Sequence, residues 1–491
     1  MSLIPPHSLV TEFLAQEQIA SFIGGTWYSS KSTIPVIDPT SGEVVASVAS
    51  AEASTVDQAM QAADKAFPEW AAMPVSERAA LLKRFADLIR ENLETLAQLE
   101  SIDVGKPIEN SRGFDIPFGA DCFDYFANLS NEAEYTVPLE VNDIDAHVQR
   151  KPYGVCGFIF PWNFPFTLFC WGTAPALAAG NTVVVKASEV TPLATLYLGN
   201  LIKEAGIPDG VINIYTGEGR ACGQPLAEHS LLKHMSFTGS PQIGKLIGKI
   251  CGEHLVPCKL ELGGKGAALV TQDADLQAAA EGLAGAITLN TGQVCCTATR
   301  WFVHSSVLDT FTQLVRAELE KTAIGSSMDE KTQMGPLVSE TQYDRVNDYY
   351  KKGIAEGAKV VVPLTTPTTT NNAGYFIKPH LLTGDEDNIC YREEIFGPTA
   401  YIVPFEEEEN AIDRINRLSY GLANSVWSKD LDRATDLAGK LIAGNSWINA
   451  HNVFAYGLPY GGVNLSGLGG GVNSPETFYS YLRNQTIARP L

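Results

Sequence analysis

The chain has 491 residues, 45% of them hydrophobic and 19% charged, a balance that supports two packed lobes rather than one core. Its formal net charge of −21 repels phosphate backbones and anionic lipid, so neither nucleic acid nor a membrane surface is an expected partner. Nine cysteines, an odd number with no CxxC pair and no short Cys/His ligand spacing, argue against a disulfide framework and against a metal site.

The opening MSLIPPHSLV carries no basic region and no continuous apolar stretch, so no signal peptide is expected. No segment is apolar for long enough to cross a bilayer. The reducing cytoplasm is the expected compartment. Ser76 to Glu100 reads as an amphipathic helix, with Leu82, Phe85, Ile89, Leu93 and Leu96 at three- and four-residue spacing. Glu132 to Gln149 is rich in acids and β-formers and reads as a hairpin leaving the body. From Val155 the runs VCGFIF, NTVVVKAS, GVINIYTG and HMSFTGS each end in Gly, Pro or Ser, with helical segments such as TPLATLYLGNLIKEAG between them. That alternation predicts a parallel sheet with helical crossovers, with ligands at the carboxyl ends of its strands. KGAALVTQDADL, RWFVHSSV and GNSWINA begin a second alternation, read as another α/β lobe. PLTTPTTTNN, Pro363 to Asn372, reads as an exposed loop.

Several turns carry groups suited to chemistry. GEGRACG, Gly217 to Gly223, follows a strand but misses the dinucleotide fingerprint by one residue, and fits a plain loop as well. In FTGSPQIGK, Gly239 turns the chain, Ser240 suits an N-cap and Pro241 the first helical position. The amides opening that helix could hold a pyrophosphate, or the segment is simply a well-capped helix. ELGGKG sets Glu261 beside two glycines, and PWNFP holds Asn163 between prolines; each also fits an ordinary turn. NTGQVCCTATR places Cys295 and Cys296 side by side. A cysteine nucleophile needs a lowered pKa, donors for an oxyanion and a base for hydrolysis. No Ser-His-Asp or HExxH pattern offers an alternative.

PWNFP, NTVVVKASEVTPL, FTGSPQIG, LELGGKGAALV, NTGQVCCTATR, EEIFGP and PYGGVNLSGLG occur in this order. Together they resemble the NAD(P)-dependent aldehyde dehydrogenase superfamily from about Phe22 to Gly469. The resemblance implies an α/β fold. A Rossmann-like NAD-binding lobe would span residues 1–126 and 148–262, and an α/β catalytic lobe 263–459. A protruding β-hairpin and tail, 127–147 and 470–491, would form an oligomerisation element and imply a homodimer or homotetramer. It implies Cys295 as nucleophile, Asn163 and the Cys295 amide as oxyanion donors, and Glu261 as general base. Lys186 and Glu189 would contact the adenosine ribose, Trp162, Gly239 and Ser240 the ribose and pyrophosphate, and Glu394 and Phe396 the nicotinamide end. Glu189 would accept a hydrogen bond from a ribose hydroxyl and repel a 2′-phosphate, so NAD is expected over NADP, with NADP possible.

Phe164, Leu168, Trp171, His451, Phe454 and Tyr460 are the expected substrate pocket, suited to apolar or aromatic aldehydes. Aromatic walls also attract quaternary ammonium groups. A betaine- or aminoaldehyde-oxidising branch is therefore an alternative, with Asp115 matching one of its acids and Phe118 standing where a second is expected. A cofactor-independent cysteine esterase is another. Two stretches depart from the family pattern: GGVNSP, Gly470 to Pro475, and the tail, where Leu482 replaces a glutamate near the proton exit. Cys296 could trap an oxidised Cys295, or simply fill space behind it.

Overall fold

A computed structural model describes residues 3–367 and 374–491. Two sheets form the body. In the first, of eight strands, a parallel core runs in the order Ile212–Thr216, Thr182–Ala187, Val155–Ile159, Leu232–Gly239 and Cys258–Leu262. The reason for the uninterrupted apolar run TVVVKA lies in its two buried faces. Val183 and Val185 enter one hydrophobic cluster with Phe158 and Phe169. Val184 enters the opposite cluster with Met60, Met235 and Leu260. Full burial of each such side chain contributes about 1.5–3 kcal/mol, so neither face tolerates a polar residue without a reason.

The second sheet has seven strands, ordered Lys359–Val362, His380–Thr383, Thr399–Phe405, Ala298–His304, Gly266–Val270, Ala423–Trp427 and Asn445–Ile448. All its pairs are parallel except the first. Only Gly263, Gly264 and Lys265 join the last parallel strand of the first sheet to Gly266–Val270. A Cβ at Gly264 would lie 2.3 Å from the Cys295 carbonyl oxygen, so glycine there lets the two lobes close on one another.

The segment read as one helix from Ser76 to Glu100 is two, Val75–Glu91 and Leu93–Val104. Asn92 sits between them at φ −104°, ψ 21°, and its Nδ2 donates to the Leu88 carbonyl at 3.0 Å, terminating the first helix. The bend lets every residue from Thr95 to Val104 be buried. The hairpin is formed by Thr136–Val141 and Ile144–Pro152, after a helix that runs Ile116–Glu132. The C-terminal strand Leu482–Pro490 pairs antiparallel with Ile144–Pro152, making a separate three-stranded sheet. Of the stretch expected as a loop, Pro363 to Pro367 is irregular, and Thr368 to Asn372 lies outside the described residues. Among the described residues, no helix is long and apolar enough to cross a membrane.

Candidate active site

A cavity of about 490 Å³ opens between the two sheets, at the carboxyl ends of the first sheet's strands. Its wall includes Cys295, Cys296, Glu261, Trp162, Asn163 and Phe164.

The thiol loop is strained and heavily braced. Asn290, Thr291 and Gly292 are consecutive left-handed residues with φ 45°, 56° and 69°, a conformation costing about 1–3 kcal/mol for each non-glycine. Gly292 cannot be larger, because a Cβ would meet the Gly397 carbonyl oxygen at 2.2 Å. Hydrogen bonds offset the strain. Asn290 Nδ2 donates to Asn163 O at 2.8 Å, and Thr291 Oγ1 to Gly335 O at 2.9 Å. Gln293 Nε2 donates to Asn290 O at 2.9 Å, while its Oε1 accepts from Val338 N at 3.0 Å. Asn163 Nδ2 donates to Gln293 O at 3.0 Å. An amide nitrogen carries two hydrogens, so the other remains for a ligand in the cavity.

The adjacent thiols differ sharply. Cys296 is 1% exposed, its Sγ donates to Asn452 Oδ1 at 3.3 Å, and burial pushes its pKa well up. Cys295 is partly exposed, and its Sγ lies 3.2 Å from Tyr460 Oη. Its pKa is lowered, chiefly by the Cys296 thiol and then by the Tyr460 hydroxyl, against the cost of burial. The first cysteine is therefore the one with thiolate character at a cavity wall. Tyr460 was expected as pocket lining; its contact with the sulfur itself, across 165 positions, has no local sequence signal.

Glu261 stands one residue before the end of the strand Cys258–Leu262, with its Oε2 unpartnered and its pKa pushed well above the carboxylate range by burial. A raised carboxyl facing a thiol across a cavity is a group able to take a proton near neutral pH.

At the other end, Ser240 caps the helix Pro241–Glu253, its side chain accepting from Ile243 N at 3.4 Å. Gly239, Ser240 and Trp162 line the cavity with the helix start. Glu394 Oε1 accepts from Gly264 N at 2.8 Å, and burial raises its pKa to about 7. Phe396, held at φ 64°, meets the Trp162 ring edge-on at 5.3 Å. Lys186 and Glu189 form an ion pair at the end of Thr182–Ala187, outside the cavity wall, with the Glu189 side chain 36% exposed. A helix start and an aromatic pair thus lie in the wall of the cavity that reaches Cys295, with the Lys186–Glu189 pair outside it, an arrangement that fits a dinucleotide better than a compact ligand. The GEGRACG segment is not in the wall; Gly217 is required by packing, since a Cβ would meet Ala51 O at 2.9 Å.

Phe164, Leu168, Trp171, Phe454 and Tyr460 line the remaining side. Trp171, Phe454 and Tyr460 are mutually in contact, with ring centroids 5.5–5.9 Å apart. His451 stands behind that wall: its Nε2 lies 2.9 Å from Cys296 O and its Nδ1 3.1 Å from Ser425 Oγ, and burial lowers its pKa to about 4. Both nitrogens are taken up in bracing the thiol segment. Asp115 reaches the wall, but Lys106 pairs with it at 2.9 Å and Thr167 Oγ1 donates to it at 3.0 Å. Lys106 also pairs with Glu100 at 3.2 Å and lies 4.1 Å from the Phe164 ring centre. Phe118 stacks between Phe114 and Tyr456 at 4.9 and 4.5 Å. Among the described residues, no group of His, Cys, Asp and Glu is arranged to hold a metal ion.

The model of the aldehyde dehydrogenase family matches residues 27–487. A mitochondrial aldehyde dehydrogenase of Mesocricetus auratus is 40% identical over 456 residues, covering 91% of this chain and 90% of that one. A Bacillus cereus aldehyde dehydrogenase solved as an NAD+ complex superposes with a TM-score of 0.96 at 36% identity over 100% of both chains. An indole-3-acetaldehyde dehydrogenase of P. syringae, solved as a cysteine-to-alanine mutant with NAD+ and IAA, gives 0.94 at 34% identity over 98% of this chain and 99% of that one. With a lowered thiol and a raised carboxyl in one cavity, a family model matched over residues 27–487 and a relative matched over 90% of its length, the chain belongs to the aldehyde dehydrogenase family.

Proposed function

We propose that this protein oxidises apolar or aromatic aldehydes to carboxylic acids with NAD, through a hemithioacetal and then a thioester on Cys295. The observation that carries the reading is the pairing, across one cavity, of a pKa-lowered thiol at Cys295 with the unpartnered carboxyl of Glu261. The Cys295 thiolate attacks the aldehyde carbon. The free Asn163 amide hydrogen and the Cys295 backbone amide receive the developing oxyanion, on a loop already braced and needing no reorganisation. The nicotinamide, when bound, takes up the hydride. Glu261 then removes a proton from water, which attacks the thioester and frees the acid and the thiol. Lys186, Glu189, Trp162, Gly239, Ser240, Glu394 and Phe396 would hold the dinucleotide.

Two features support the aldehyde class. The Trp171, Phe454 and Tyr460 rings offer flat apolar walls, and one structural relative is named for an indole aldehyde. The Asp115 carboxylate is already paired to Lys106, leaving little to attract a cationic aldehyde. Initial rates over a panel test this. Phenylacetaldehyde-type substrates are expected to exceed betaine aldehyde and acetaldehyde by about tenfold in kcat/KM, one aromatic contact's worth. NAD is expected to exceed NADP by about tenfold or more, because Glu189 repels a 2′-phosphate. A preference for betaine aldehyde or for NADP would reverse the respective assignment, and ester cleavage as the sole activity would favour the esterase.

The same reading includes a homodimer or homotetramer built through the hairpin and tail. Leu139, Val141, Ile144 and Ile487 are exposed on that three-stranded sheet, and Thr136–Val141 leaves one edge unpaired. Light scattering is expected to give two or four chains, and a monomer after Leu139→Lys with Val141→Lys; a monomeric parent would contradict it. The nine cysteines are all free thiols, which suits the cytoplasm, and cell fractionation checks that assignment.

A further inference from the structure

Two neighbouring strands beneath the cavity break the apolar rule of a doubly covered sheet. Met235 and Phe237 from Leu232–Gly239, with Leu260 and Leu262 from Cys258–Leu262, point into one hydrophobic cluster as expected. The other face carries His234, Ser236 and Thr238 beside Lys259 and Glu261. The parallel register sets Ser236 opposite Lys259 and Thr238 opposite Glu261. His234, Ser236, Lys259 and Glu261 are all buried. Ser236, Thr238 and Glu261 reach the cavity, whereas His234 and Lys259 do not. The polar row therefore continues under the cavity floor, away from the substrate.

Lys259 is the one cation in that row, and it is 1% exposed. Its Nζ donates to Gly471 O at 2.9 Å and lies 5.0 Å from the centre of the Tyr481 ring. Gly471 belongs to GGVNSP, the segment that departs from the family pattern, so the unusual tail is what receives the ammonium. The buried side chain of the following residue, Leu482, brings no titratable group. Burying an ammonium costs several kcal/mol unless a negative charge faces it. The groups facing Lys259 are Glu261, His234 and Tyr481. His234 is held neutral by burial, its pKa lowered to about 3, and burial raises the Tyr481 phenol. Only Glu261 can supply the charge. The groups facing Glu261 are in turn Lys259 on its own strand, Cys295 from the thiol loop and Tyr481 from the tail. Lys259 is the charged group that favours its ionised form, and the Gly462 backbone amide adds to it as a smaller contribution.

We propose that Lys259 is a positioning residue for the hydrolytic step, keeping the Glu261 carboxyl ionised from beneath the cavity floor while the thioester occupies the other side. The inference rests on Glu261 being the base. Burial pushes Glu261 well up and Lys259 down to about 8, and each opposes the other's shift. A protonated Glu261 cannot take a proton from water, so loss of the Lys259 charge moves the acid limb of thioester hydrolysis to higher pH.

The test compares Lys259→Met and Lys259→Gln with Lys259→Arg and Glu261→Gln in the full chain. Rapid mixing reads the first turnover of NADH, and acid quench with mass spectrometry reads the acyl-enzyme. Both neutral variants are expected to keep a full first turnover. They should accumulate acyl-enzyme near neutral pH, with the acid limb of hydrolysis raised by about one pH unit or more. Arginine should restore most of the wild-type limb. Whichever neutral variant is soluble suffices. An unmoved limb, a limb moved equally by arginine, or a lost first turnover would each overturn the role. Should Glu261→Gln hydrolyse the thioester at the wild-type rate, it is the base assignment that fails, and the two failures are thereby told apart.

Discussion

Cys295→Ala is expected to lower aldehyde-dependent NADH formation by about 10⁴-fold or more, because a residue that forms the covalent intermediate has no substitute in the cavity. The fold should survive. The thiol loop is held by Asn290, Thr291, Gln293 and Asn163 through bonds that do not involve the sulfur, which itself lies 3.2 Å from Tyr460 Oη. Removing one partly exposed sulfur costs about 1 kcal/mol, so the melting temperature should fall only slightly. NAD binding, followed by quenching of tryptophan fluorescence, should be retained, since Trp162, Ser240 and Glu394 are untouched. Cys296→Ala makes the contrast. That thiol donates to Asn452 Oδ1 and supports Cys295 from behind, so its loss should raise the Cys295 pKa and slow the enzyme several-fold at neutral pH, with recovery at higher pH. If instead Cys296→Ala were dead and Cys295→Ala active, the assignment of the nucleophile would be reversed. The same pair of variants tests oxidative trapping: peroxide inactivation of Cys296→Ala should no longer be reversed by dithiothreitol if the second thiol protects the first.

Which features were legible in the chain follows from how local their signals are. VCGFIF and NTVVVKAS announce doubly buried strands because both faces of the sheet are covered, and Ser240-Pro241 announces a helix start because a cap and a fixed φ act within three residues. The turns of Glu261 and Asn163 also fit ordinary loops, so the ordered motifs of the family resemblance, rather than the turns alone, single out Cys295, Glu261 and Asn163, and the cavity brings them together. The break at Asn92 was hidden, since the apolar spacing of Leu82 to Leu96 continues across it and only the asparagine side chain's bond to Leu88 O betrays it. The placement of His451 behind the wall depends on Ser425 and Cys296, 26 and 155 positions away. The engagement of Asp115 by Lys106 needs a buried ion cluster that no periodicity encodes. Lys259 carries no local signal, because its meaning lies in the carbonyl of Gly471, 212 positions on. Turns and periodic faces are written locally; charge pairing under a cavity floor is written only in three dimensions.

Glu261→Gln should separate the two halves of the reaction. The glutamine fits the same slot but cannot take a proton, so thiol attack and hydride loss proceed once while thioester hydrolysis slows by about 10²–10⁴-fold. Expected is a burst of about one NADH per chain, followed by a slow phase, with an acyl group carried on the Cys295 peptide. Hydroxylamine, a strong nucleophile that needs no base, should release the acyl group and restore turnover. A structural cost should accompany the kinetic one. Glu261 Oε2 has no partner, so the amide adds an unsatisfied buried group worth about 1–3 kcal/mol. The Lys259 ammonium is also left facing no carboxylate, which should drive its pKa further below the value of about 8 that burial already imposes. The variant is therefore expected to melt several degrees below the parent, and most so at low pH, where Lys259 is forced to carry its charge. Steady turnover by Glu261→Gln without a burst would mean that water is activated elsewhere in the cavity, with Glu394, raised to about 7, the remaining carboxyl in its wall able to do it.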